Sequence, residues 1–190
     1  MMNFLKKFAV GGAAAAVLTL SGPAFAKTII NNGSFESGLT GWTVSRGTVD
    51  IETAPIAPQD GTAFAELVGQ TNALLRQTVK LKTGRYVLSL WYSPEAATKA
   101  ATSKLGWNMG GLATGVLSTA NGATVGNWVQ LQVEFLVHAT KNYQLSLANY
   151  GKAGGFVDNV AIAPVPLPAA GFGLLGAMGV LAGLRRRKKV

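Results

Sequence analysis

The stretch VQLQVEFLV, Val129 to Val137, decides the fold class. Leu131, Val133, Phe135 and Val137 share one parity, and Gln130, Gln132, Glu134 and the following His138 share the other, with Leu136 the exception. Side chains of an extended chain alternate between faces, so this period of two predicts a strand with one face packed and one in water. Tyr143, Leu145 and Leu147 set against Gln144 and Ser146 repeat the pattern a few residues on.

Working outward, further short stretches rich in β-branched or aromatic residues read as strands: Trp42 to Arg46, Thr48 to Glu52, Ala63 to Val68, Leu74 to Leu81, Arg85 to Ser93, Leu105 to Met109, and Phe156 to Ile162. Asn32-Gly33, Asp60-Gly61, Thr83-Gly84, Asn121-Gly122 and Gly154-Gly155 supply turn signals between many of them. Pro94 to Lys104 lacks alternation and reads as a surface loop. Many short strands at this spacing predict an all-β, antiparallel β-sandwich.

The two ends of the chain are of a different kind. Lys6 and Lys7 precede an apolar run from Phe8 to Leu20, and Ala24-Phe25-Ala26 has the small-x-small pattern of a signal-peptidase site. Residues 1–26 therefore read as a signal peptide for the Sec translocon, with Ala24 and Ala26 at the cleavage site. At the other end, Ala169 to Leu184 is uncharged and is followed by Arg185, Arg186, Arg187, Lys188 and Lys189. As a helix this run would span about 24 Å, a little under the roughly 30 Å hydrocarbon core, and the basic block would hold its end in the cytoplasm as a stop-transfer signal. Gly179 and Gly183 give a GxxxG spacing, which chance also produces in a Gly/Ala-rich segment.

Val165, Pro166, Leu167, Pro168 and Ala169, then the Gly-rich run, then the Arg/Lys end, resemble the PEP-CTERM sorting signals of Gram-negative bacteria, in the variant named for its VPLPA pentapeptide. The resemblance implies that residues 164–190 are recognised by an exosortase-type membrane transpeptidase, cleaved near the pentapeptide, and lost as the protein moves to the cell surface or an extracellular matrix. An unprocessed C-terminal membrane anchor is the alternative.

These ends also account for the charge. The chain has 17 basic and 8 acidic residues. Seven bases lie in the leader and the tail, which leaves ten against the same eight acids between them. A pI of about 10.1 would ordinarily point to nucleic acid or acidic lipid, but here the excess is topogenic, and no nucleic-acid partner is expected. The chain has no cysteine, which excludes disulfides and thiol chemistry.

What remains, residues 27–163, suffices for one domain with a sizeable core. Asn32-Gly33-Ser34-Phe35-Glu36, Gly41-Trp42, Asp60-Gly61, Glu66-Leu67, Gly84-Arg85-Tyr86 and Val157-Asp158-Asn159-Val160 resemble the galactose-binding-like jelly rolls, a superfamily that includes many carbohydrate-binding modules. Bottom-up, Phe35, Trp42, Leu67, Tyr86 and Val157 fit a sandwich core, and the glycines fit its turns. The resemblance implies a jelly-roll sandwich and a structural Ca²⁺ near the first and last strands. Glu36 and Asp158 would be its carboxylate ligands, with Asp60 third.

Sugar binding requires exposed aromatic faces and polar side chains for hydroxyls. Of Trp42, Trp91, Tyr92, Trp107, Trp128, Tyr143 and Tyr150, alternation singles out Trp91, while Trp107 follows a loop and precedes Asn108. Trp91 and Trp107 are the expected platform, with Asn108, Gln130 and Gln132 as polar partners; each aromatic residue also has a plain core reading. Catalysis has less support. His138 is the only histidine, no Gly-x-Ser-x-Gly elbow is present, and no two of Glu52, Glu66, Glu95 and Glu134 can be placed at a glycosidase separation from sequence. The expected function is a non-catalytic module on an exported protein that binds extracellular polysaccharide; a purely structural surface or matrix protein is the alternative.

Overall fold

In the computed structural model, which describes residues 28–95, 102–118 and 124–165, the alternation of Val129–Val137 is realised as a strand. Phe135 and Val137 are buried, Leu131 and Val133 pack partly against the core, and Gln130, Gln132, Glu134 and Leu136 are exposed. The strands in chain order are β1 (Thr43–Arg46), β2 (Val49–Glu52), β3 (Phe64–Leu67), β4 (Leu74–Leu81), β5 (Gly84–Pro94), β6 (Lys104–Met109), β7 (Thr114–Ser118), β8 (Val129–Val137), β9 (Lys141–Asn149) and β10 (Gly155–Pro164).

They form two five-stranded sheets, β1-β4-β9-β6-β7 and β2-β3-β10-β5-β8, and all pairings between these strands are antiparallel. Only the connections β2–β3 and β6–β7 stay within one sheet; every other one crosses the sandwich. Crossing repeatedly makes most contacts non-local, so the inward face of each strand is covered by a strand distant in sequence. Leu75, Leu145 and Leu147 of the first sheet meet Leu88, Leu90 and Val157 of the second in a core where all six are fully buried. Each such side chain contributes about 1.5–3 kcal/mol by leaving water.

The expected core residues Phe35, Trp42, Leu67, Tyr86 and Val157 are all buried. Asn32-Gly33 has a packing reason as well as a turn reason. Val160 N–H donates to Gly33 O at 2.9 Å, and a Cβ on Gly33 would collide with the Val160 carbonyl, so glycine lets the N-terminal segment lie against β10. The same segment is held to the first sheet by Gln77, whose side-chain amide accepts from Asn31 N at 2.8 Å and donates to Asn31 O at 2.9 Å.

Two differences from expectation stand out. β7 was not expected: TGVLS is short, contains glycine, pairs only with β6 at the sheet edge, and exposes Val116 where alternation calls for a polar residue. The domain also runs past residue 163, since β10 ends at Pro164 and Val165 N–H donates to Arg85 O at 3.0 Å. The leader with Ala24 and Ala26, the residues Pro166, Leu167, Pro168 and Ala169, and the block Arg185 to Lys189 lie outside the described residues.

Candidate functional site

The first sheet carries a groove of about 610 Å³ on its outer face. Strand register builds it as two adjacent rungs. One is polar: Arg76 of β4 stands opposite Ser146 of β9, Ser146 opposite Asn108 of β6, and Asn108 opposite Thr114 of β7. The next is small and apolar across its middle, running Leu74, Ala148, Gly106 and Val116, with Arg46 of β1 opposite Leu74. At the usual strand spacing of about 4.8 Å, a rung across five strands is about 19 Å long.

An aromatic ring lies on this floor. Tyr150 is 63 % exposed, and a Cβ on Gly106 would run into its ring at Cε2, so the absence of a side chain at 106 is what lets the ring settle on the sheet. Its position is fixed from both sides. Tyr150 N–H donates to Lys104 O at 2.8 Å, and the preceding Asn149 is buried, donating to Ala153 O at 3.0 Å and accepting from Gly151 N at 2.8 Å.

The two arginines reach the groove by different devices. The register of β1 on β4 slips between Val44 and Arg46, a bulge that sets Arg46 rather than Ser45 opposite Leu74. Arg46 Nε then donates to Asn72 O at 2.9 Å, which holds the side chain along the groove rim. Arg76 is half-buried, and its Nε is buried with no hydrogen-bond partner. A buried donor of this kind costs free energy until an acceptor arrives. None of the residues lining the groove is acidic.

The expected platform divides between the two sheets. Trp91 is half-buried on the outer face of the second sheet, opposite Gln130 of β8, and Gln132 stands opposite Ser89 two residues along, so Trp91, Gln130 and Gln132 do share a face. Trp107 corrects the expectation: it is 6 % exposed, points inward with Leu147 as its register partner, and packs its indole over Gly115. It reaches only the groove floor and offers no stacking face. Asn108 does lie in the groove, with its Oδ1 accepting from Gly111 N at 2.9 Å.

Glu36 and Asp158 both grip the segment Gln59 to Ala63, but through amide hydrogens. Glu36 accepts from Thr62 N at 2.8 Å, Thr62 Oγ1 at 2.7 Å and Ala63 N at 2.9 Å, and the Thr62 hydroxyl above all holds its carboxyl below the usual range. Asp158 accepts from Gln59 N and Asp60 N at 2.9 Å each and from Asn159 N at 2.7 Å, while burial pushes its pKa up. The positive partners of both carboxylates are thus N–H and O–H groups. Among the described residues no group of three or more His, Cys, Asp or Glu side chains is placed to hold a metal ion.

Comparison with protein-family models and with curated proteins finds no match to this sequence. Solved structures do match in fold. TmCBM61, solved with β-1,4-galactotriose, is similar at 19 % identity and TM-score 0.57, covering 74 % of this chain and 100 % of its own. Family 16 Carbohydrate Binding Module-2 matches at 23 % identity and TM-score 0.54, covering 71 % and 99 %. A Stig cyclase from Fischerella sp. TAU, solved with an indole compound, matches at 18 % identity and TM-score 0.55, covering 75 % and 99 %. At these identities the likeness is one of fold, a jelly-roll sandwich that hosts more than one chemistry.

Proposed function

We propose that this chain is a non-catalytic, carbohydrate-binding β-sandwich on an exported protein, and that the glycan lies in the groove of the first sheet. The observation that carries the reading is the pairing of an exposed tyrosine ring, set close against Gly106, with the polar rung Arg76, Ser146, Asn108 and Thr114 beside it. A sugar presents C–H faces and a rim of hydroxyls, and these are the two surfaces that such a floor complements. Among the similar structures, TmCBM61 holds a galactotriose, which supports the class of ligand.

Export and sorting complete the reading. The leader ending at Ala26 directs the chain through the Sec translocon, and the VPLPA pentapeptide with its apolar run and basic end is a substrate for an exosortase-type transpeptidase that moves the domain from the inner membrane to the cell surface. The place of Val165 directly after the last strand supports this, because the pentapeptide starts where the folded domain stops.

The test is retention of the purified full-length chain on a panel of immobilised polysaccharides. Binding to at least one polymer that falls by about 10-fold in Tyr150→Ala, with unchanged melting temperature, is the expected result. Loss in Trp91→Ala instead would move the site to the second sheet, and no retention on any polymer would leave a purely structural surface protein.

A further inference from the structure

Resting on that reading of the groove, we infer that its ligand is an acidic polysaccharide, one whose sugar rings carry carboxylates, and that Arg76 and Arg46 receive them.

The charge of the whole sandwich is divided by sheet. The strands of the first sheet carry Arg46, Arg76, Lys80, Lys104 and Lys141 and no Asp or Glu. The strands of the second carry Asp50, Glu52, Glu66, Glu134 and Asp158 against Arg85 alone. The near-neutral domain is therefore polar in its charge, with its basic side on the grooved sheet. A neutral glycan gains nothing from this division. A polyanion is drawn to one face and repelled from the other, before any contact is made.

Contact chemistry points the same way. A guanidinium is a rigid fork of N–H donors that matches a carboxylate in two parallel hydrogen bonds. Arg76 sits half-buried in the polar rung with its Nε buried and unpartnered, and no acidic residue lines the groove to neutralise it. Arg46 has its Nε committed to Asn72 O, which orients the fork at the rim instead of leaving it free in solvent. Its place there depends on the β1 bulge. The rim and the floor thus each offer one fork beside Leu74, at the β1–β4 end of the apolar patch where a ring can lie.

The experiment measures affinity of the purified full-length chain for polygalacturonate, for neutral β-1,4-galactan and xylan, and for poly-L-glutamate. The expected result is that polygalacturonate binds about 10-fold or more tightly than the neutral polymers at about 0.05 M salt, with the gap narrowing at about 0.5 M. Arg46→Gln, at an exposed rim position outside the polar rung, should reduce that preference while leaving any neutral-polymer binding in place, and Arg76→Gln should weaken uronate binding by a larger factor than neutral-polymer binding. Neutral polymers bound as tightly as the uronate, with both variants unchanged, would overturn the acidic-ligand inference and leave carbohydrate binding standing. Equal binding of poly-L-glutamate would also overturn it, because charge alone would then suffice. No binding to any polysaccharide would remove both.

Discussion

Gly106 is the residue on which the site turns. A methyl group there would collide with the Tyr150 ring, so Gly106→Ala is expected to lift the ring off the sheet and weaken glycan binding by about 5- to 10-fold without removing a single polar contact. Affinity electrophoresis beside a thermal melt checks this, and unchanged affinity would show that the ring is not the platform. A glycine inside a strand pattern is a sequence signal for close approach of another group, and Leu-Gly-Trp at 105 to 107 carried it. The place of Trp107 after a loop and before Asn108 suggests an exposed ring, but the parity that buries it depends on which face of β6 meets the core. Glu66 offers a second test at this scale. Burial raises its pKa above the ordinary 4.5, with Glu95, Glu52 and Asp50 adding to the shift. A raised carboxyl pKa means the folded state binds the proton more tightly than the unfolded one, so this group costs stability above that range and the cost fades as pH falls through it. Glu66→Gln should accordingly raise the melting temperature at pH 7, with the gain shrinking toward pH 4; a gain that persists undiminished at pH 4 would contradict the titration account.

Among the elements, the segment leading into β3 does most to shape the second sheet. It covers the outer face, where Phe64 packs edge-on against Trp128 at 5.7 Å and Phe156 at 5.1 Å, and Trp128 Nε1 donates to Ala57 O at 2.8 Å. This aromatic cluster lies outside the main core and is closed by the Asp158 carboxylate holding the Gln59 and Asp60 amides. Asp158→Ala leaves three N–H groups without that acceptor and should cost about 2–3 kcal/mol in urea unfolding, with faster proteolysis between residues 53 and 62. Unchanged stability and cleavage would mean that the segment is held by its aromatic contacts alone. Strand alternation made β5, β8 and β9 legible, since each has an apolar parity long enough to count. The groove was not legible, because a rung is a product of register between strands far apart in sequence. Arg76 and Ser146, or Asn108 and Thr114, become neighbours only once pairing is known. The β1 bulge adds a shift of one residue that no pattern of polarity announces.

At the scale of the molecule, a nearly neutral domain hides a separation of charge, and a basic chain hides a nearly neutral domain. The sorting signal is tested by intact mass of the protein from surface and membrane fractions. A surface form that begins at Lys27 and ends within the pentapeptide is expected, whereas a surface form retaining the basic end would establish a plain anchor. The exit of the chain has a mechanical consequence. β10 lies in the middle of its sheet, bonded along most of its length to β5, to β3 at one end, and flanked at the other by Ile29, whose N–H donates to Ile162 O at 2.8 Å. Tension applied at Val165 runs along the axis of that strand, so the ladder is loaded in shear and many hydrogen bonds must yield together. A domain tethered by a central strand resists drag from a bound polymer far better than one tethered by an edge, which would peel bond by bond.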